Sequence, residues 1–287
     1  RFAKSLDQVI THEVGHNWFY GILASNEREH PYLDEGLNSY YEDRYMEEYY
    51  PNSSNDNLGM MSKFTGGFEE NELIYQYMGR SYLDQFPDQH SENFSLINYG
   101  NDVYTKSSRL FEDAEEYLGV DNFDRIMKKY YEAWKFKHPY PEDLEKVYSE
   151  NTEKNMDWLF HYFLTTNKKM DYRISKIKHQ NDSVLLSIKN SGQVPAPFLI
   201  TGMQENQIKY SKWIDGFQGS RKVTLPKESV DHYIIDPKFQ SYDLYRHNNT
   251  IRNHGIFKKI EPLQFKLFPV VDNPGKTEIG ITPVVGR

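Results

Sequence analysis

Apolar residues in the first part of the chain recur at helical spacing. Phe2, Leu6, Val9, Ile10 and Val14 fall at i, i+4, i+7, i+8 and i+12, one face of a helix. A second helix is expected from about Asp34 to Tyr49, stopped by Pro51. A third spans Asn101 to Leu118, with Gly119 as its stop signal. A fourth starts near Asp121 and carries Phe123, Ile126, Met127, Tyr130 and Trp134. Pro141 suits the first turn of a fifth, and Met156, Leu159, Phe160 and Phe163 mark a sixth. After Asn167 the period shifts toward two. The runs SVLLSIK, PFLITGM and HYIID alternate with the turn signals Asn181-Asp182, Ser191-Gly192 and Asp215-Gly216. That spacing predicts a small β-sandwich of roughly seven strands. The last forty or so residues keep strand-like runs (PLQFKLFPVV, EIGITPVV). The pattern therefore divides the chain into a helical lobe over 1–168, a β-sandwich over 169–247 and an extended tail over 248–287.

Charge follows the same division. Residues 1–168 hold 16 Lys/Arg against 31 Asp/Glu, whereas residues 169–287 hold 18 against 11. The whole chain carries a net charge of −8, which speaks against a nucleic-acid partner. Aromatic residues make up 15% of its 287 residues, enough for a sizeable core and contrary to disorder. No run of about 18 apolar residues is present, so no membrane segment is expected. Cysteine is absent, which excludes disulfides and thiolate chemistry and restricts any zinc site to histidines and carboxylates. A Cys-free chain tolerates any redox compartment, and export to the periplasm or the cell exterior is the expectation. RFAKSLDQ does not read as a signal peptide, and a start at Arg1 suggests a fragment or a processed product. The four N-x-S/T sites, at Asn52, Asn93, Asn181 and Asn248, are too common a pattern to locate the protein.

One motif carries chemistry. In THEVGHNW, His12 and His16 lie at i and i+4, on one side of a helix, so both rings can grip one metal ion. Glu13 lies about 100° further round and can reach a water beside the metal instead of the metal itself. A catalytic zinc keeps three protein ligands and one open position. Glu27, Glu29, His30, Asp34, Glu35 and Glu42 are the downstream candidates for the third. Glu35 leads Asp34 by a small margin, because it sits at a helix N-terminus, where the macrodipole favours a carboxylate. Gly36 beside it would permit close packing against the first helix. Glu42, seven residues on and on the same helical face, is placed to accept a hydrogen bond from a ligand histidine, or to be solvated.

HEVGHNW, then eighteen residues after His16, then Glu35 in LDEGLNSYYED, resembles the gluzincin zinc peptidases of the aminopeptidase N and leukotriene-hydrolase family. Trp18, two residues after His16, belongs to the same signature. VYTKSSRLFEDAEEYLG resembles that family's segment in which a Tyr precedes a Lys by two residues, although Ser107 stands where the family often has Gly. HPYPEDLEKVYSENTEKNMDWLFHYFL resembles its next helical pair, and the match runs loosely to about residue 247. The resemblance implies an α+β fold: the helical lobe of a thermolysin-like zinc peptidase followed by a small, Ig-like β-sandwich. It implies His12, His16 and Glu35 as zinc ligands, Glu13 as general base and proton donor, and Tyr104 as donor to the oxyanion.

The implied activity is zinc-dependent hydrolysis of peptides, of the aminopeptidase type. A zinc endopeptidase and a non-catalytic peptidase-like scaffold are the alternatives; a scaffold has no reason to keep ligands, base and Tyr together. The family's amine-anchoring Gly-x-Met-Glu-Asn precedes the motif by a few tens of residues, and only eleven residues precede His12. Gly202-Met203-Gln204-Glu205-Asn206 differs in order and reads as coincidence. The expectation is therefore the C-terminal part of a catalytic domain plus its sandwich, with the upstream β-lobe missing. Such a piece should bind zinc yet show little aminopeptidase activity alone, because loss of one cleft wall removes substrate positioning.

Overall fold

A computed structural model describes residues 2–51, 70–205, 207–227, 229–238 and 241–255, together with the backbone of 264–273 and 278–286. The side chains of Phe2 and of residues 70–73 lie outside that description, as do Asn52 and Asn206. Helix α1 (Phe2–His16) continues through a wide π-helical turn, Asn17–Leu23. It stops at Ala24, whose φ of 53° breaks the helix. Asn17 donates its side-chain amide to the Val14 carbonyl at 2.8 Å, holding that junction. Helix α2 (Glu35–Tyr49) ends just before Pro51, and α3 is Glu70–Arg80, which the periodicity did not predict.

The helix expected over Asn101–Leu118 divides in two. Its first part, Tyr99–Lys106, is π-helical, and α4 proper is Ser107–Leu118. Gly119, at φ 86°, adopts a backbone that a side chain would resist and lets α5 (Val120–Trp134) leave in a new direction. Helix α6 (Pro141–Asn151) opens with Pro141, and the Asp143 carboxylate accepts the Tyr140 N–H at 2.9 Å. A last helical turn, Trp158–Phe163, closes the lobe with four buried residues: Trp158, Leu159, Phe160 and Phe163.

The β-part begins with β1 (Tyr172–His179), β2 (Ser183–Asn190), β3 (Phe198–Gln204) and β4 (Gln207–Ile214). It continues with β5 (Gly219–Pro226), β6 (His232–Ile235) and β7 (Thr250–Arg252). These make two antiparallel sheets, ordered β1-β2-β5 and β4-β3-β6-β7. Alternate residues point inward, as in Val184, Leu186 and Ile188 of β2. Strand β7 pairs with β6 and lies beyond the boundary expected at 247. In the tail, the two strand-like runs form β8 (Gln264–Asn273) and β9 (Glu278–Gly286), which pair antiparallel. The GMQE run sits at the end of β3 and its turn, with Glu205 at φ 49°.

One continuous hydrophobic core runs from Leu23 in the helical lobe to Ile251 in the sandwich. Polar contacts cross the seam. The Tyr117 hydroxyl on α4 donates to Asp215 at 2.8 Å while its ring packs on Trp213. The Tyr75 hydroxyl on α3 donates to the Tyr242 carbonyl at 2.9 Å. Glu116 meets Lys238, and Asp84 meets Lys169, so the opposite charges of the two parts face each other where they join.

Candidate metal centre

Helix α1 crosses the N-terminal half of α2 at close range. A methyl group on Gly15 would come within 1.8 Å of the Asn38 side chain, so only glycine allows this approach while Asn38 keeps its place. Asn38 uses the closeness to donate its side-chain amide to the His12 carbonyl at 2.7 Å. The same crossing aims His12 and His16 at the first residue of α2, Glu35. His12 Nε2 lies 3.2 Å and His16 Nε2 3.4 Å from one Glu35 oxygen, Oε2. One ligand atom from each of the three side chains lies within 4.8 Å of the others. Among the described residues no other group of three or more His, Cys, Asp or Glu converges this way.

The outer nitrogens of both rings are also engaged. His12 Nδ1 is 2.8 Å from Glu42 Oε2, and His16 Nδ1 is 2.8 Å from Asp34 Oδ1. A carboxylate on Nδ1 makes that nitrogen the N–H donor and leaves the Nε2 lone pair pointing inward, as metal ligation by imidazole requires. With ligand atoms this close, neutral Nε2 donors and an ionised carboxylate suit a small divalent cation. Asp34, which the sequence reading offered as a rival ligand, instead stands behind His16; its signal would have been its place directly before Glu35.

The charges respond to one another. Bonds to Glu35 and then Glu42 raise the His12 ring to about 10, so a cation taking the Nε2 position does so in exchange for a proton. Burial pushes Glu35 upward, but bonds from His12 and Tyr104 outweigh it and hold its carboxyl below the usual range. Burial lifts Asp34 to about 6 against the opposing pull of His16. Tyr104 reaches the site from the π-helical segment. Its hydroxyl donates to Glu35, and its ring stacks on His12 with centroids 5.9 Å apart. Burial and then the Glu35 carboxylate push its phenol well above the usual value, so it stays protonated as a donor.

Glu13 follows His12 on α1 and is exposed to solvent. Gly36 does permit a close approach, but not to α1. A methyl group there would meet Ser107 Cβ at 2.4 Å and the Val103 carbonyl at 2.9 Å, so Gly36 lets the Tyr104 segment press on the start of α2. His30, another ligand candidate, pairs instead with Asp88, Nδ1 to Oδ1 at 2.5 Å. Trp18 is 47% exposed. Glu27 and Glu29 do not join the cluster.

A model of the peptidase family M1 domain matches residues 2–163. A probable aminopeptidase 1 of Sulfurisphaera tokodaii is 22% identical over 247 residues, which cover 81% of this chain and 30% of the relative. Aminopeptidase M1-A of Oryza sativa subsp. japonica is 22% identical over 170 residues, 59% of this chain and 18% of the relative. Among solved structures, Legionella pneumophila aminopeptidase A in complex with aspartic acid matches with a TM-score of 0.52 at 17% identity. That match covers 76% of this chain and 24% of the other, and it bears on the α+β fold. The chain thus spans about 30% or less of the length of these relatives.

Proposed function

The chain belongs to the peptidase M1 family, and from that premise we propose that it carries the metal centre of a zinc aminopeptidase. The observation that carries this reading is the convergence of His12, His16 and Glu35 within 4.8 Å. His12, His16 and Glu35 would hold the zinc, with Glu42 and Asp34 orienting the two rings. Zinc, when bound, supplies Lewis acidity and lowers the pKa of water. Peptides with a free N-terminus are the proposed substrates, in keeping with the names of the relatives.

The chain's own side chains supply the proton traffic. Glu13, one position round the helix from His12, accepts the proton of the attacking water and passes it to the departing amine nitrogen. Tyr104, protonated and already at Glu35, donates its O–H to the carbonyl oxygen as that oxygen gains charge. Donation to a developing oxyanion is worth about 2.7–4 kcal/mol per donor in acyl transfer.

The test is Glu13→Gln in the intact protein, read by zinc content and by hydrolysis of aminoacyl chromogenic substrates. The expected result is zinc retained at one equivalent while kcat falls about 10²–10⁴-fold, because shape is kept and the base removed. Wild-type turnover in this variant, or no zinc in the parent protein, overturns the reading.

A further inference from the structure

Lys106 lies two residues beyond Tyr104 and is all but buried, at 2% exposure; Asp102, two residues before Tyr104, is at 0%. Charged side chains are seldom buried without a partner, because leaving water is costly. These two face each other, with Lys106 Nζ 3.7 Å from Asp102 Oδ1. Both also grip the chain at Gln85. Lys106 donates to the Gln85 carbonyl at 3.2 Å, and Asp102 Oδ2 accepts the Gln85 N–H at 3.1 Å. Asn101 donates to the other Asp102 oxygen at 3.3 Å. Next to Gln85, the buried Asp84 is paired with Lys169, at the start of the sandwich. Two lysines and two aspartates thus form one enclosed cluster beneath the π-helical segment.

The segment's geometry links the cluster to the metal centre. In the wide turn of a π-helix, residues 102 and 106 return to the same side and residue 104 faces the opposite one. The ion cluster therefore holds the inner side of Tyr99–Lys106, while Tyr104 on the outer side meets His12 and Glu35. Ser107 Oγ adds a bond to the Asp102 carbonyl at 2.9 Å, securing the exit into α4. π-helical turns are uncommon and occur often at functional sites, where they re-aim a side chain. A hydrocarbon contact would have filled this space more cheaply, but without fixing one direction, whereas paired charges and the Gln85 backbone admit one arrangement.

We propose that the Asp102–Lys106 pair, braced by Asp84–Lys169, is a positioning device that holds the Tyr104 hydroxyl at the metal centre. The proposal rests on the reading of Tyr104 as donor to the oxyanion. Lys106 and Asp102 act only through Tyr104 and do not touch substrate.

A double-mutant cycle in the intact, zinc-loaded protein tests it. The variants are Lys106→Met, Asp102→Asn, Tyr104→Phe and the two doubles with Tyr104→Phe, read by kcat, KM and zinc affinity from chelator competition. Lys106→Met and Asp102→Asn should each lower kcat about tenfold, with KM and zinc affinity changed less than about twofold. In the Tyr104→Phe background either change should cost less than about twofold, because the group being positioned is gone. An equal fall in both backgrounds, no fall at all, a parallel loss of zinc affinity, or failure of both single variants to fold would each overturn the proposal. Wild-type turnover in Tyr104→Phe would overturn it together with the role of Tyr104; a Tyr104→Phe defect with additive Lys106→Met would overturn the positioning role alone.

Discussion

Helices α1 and α5 are both 15 residues long, and both carry apolar residues at helical spacing, yet they lie oppositely in the molecule. On α5 the stripe of Phe123, Ile126, Met127 and Tyr130 is buried, none of them more than 5% exposed. On α1 the stripe of Leu6, Val9, Ile10 and Val14 is 46–61% exposed. What α1 turns toward α2 is polar. Asp7 accepts the hydroxyls of Tyr45 and Tyr50 at 3.2 and 2.8 Å, His12 meets Glu42, and His16 meets Asp34. A helix whose polar side chains find charged and hydroxyl partners, and whose Gly15 allows close contact, can pack by its polar face. Periodicity shows that a helix forms and where its stripe is. It does not show which side a neighbour will take.

Four measurements bear on this contrast. Phe123→Ala should cost the most, about 3–5 kcal/mol, because it opens a cavity in a closed core; urea unfolding of the chain reads it. Gly15→Ala should cost about 1–3 kcal/mol in the same experiment, since the new methyl must displace Asn38 from the His12 carbonyl. A neutral result there would mean the α1–α2 contact is looser than drawn. Glu42→Ala should weaken zinc binding about 10–100-fold in chelator competition, with the histidine ring left unoriented. Unchanged affinity would assign Glu42 to the solvated surface. Ile10→Ser should be the mildest, within about 0.5 kcal/mol, because Ile10 is 49% exposed. A loss there comparable to that of Phe123→Ala would show that the α1 stripe is covered in solution and would remove the contrast.

Much of the helical lobe was legible residue by residue. Pro51 and Gly119 mark where α2 and α4 stop, Pro141 opens α6, and the alternation in SVLLSIK is strand β2. Helix α3 was not legible, because a short helix with Tyr75 and Met78 buried offers too few periodic positions to stand out. The π-helical turn before α4 escaped as well. Gly100, Asn101, Asp102 and Thr105 are weak helix formers, which does not by itself tell a π-helical turn from a frayed start, and the wide turn is tied to contacts at Gln85 and Gly36.

The same division holds within the site. The chain alone determined what covalent spacing dictates: two imidazoles one helical turn apart, Glu13 beside them, and a carboxylate at a helix N-terminus after an eighteen-residue spacer. It also nominated Glu42, because seven residues return to one helical face. Packing of distant segments, by contrast, set Asp34 behind His16 and brought Gly36 against the Tyr104 segment instead of α1. It alone decided that Lys106 is buried, and that α1 turns its polar side inward. Each of these depends on which distant residues arrive at a given place. Local spacing can specify a direction from a helix axis, but the partner waiting there is set by the packing of the whole chain.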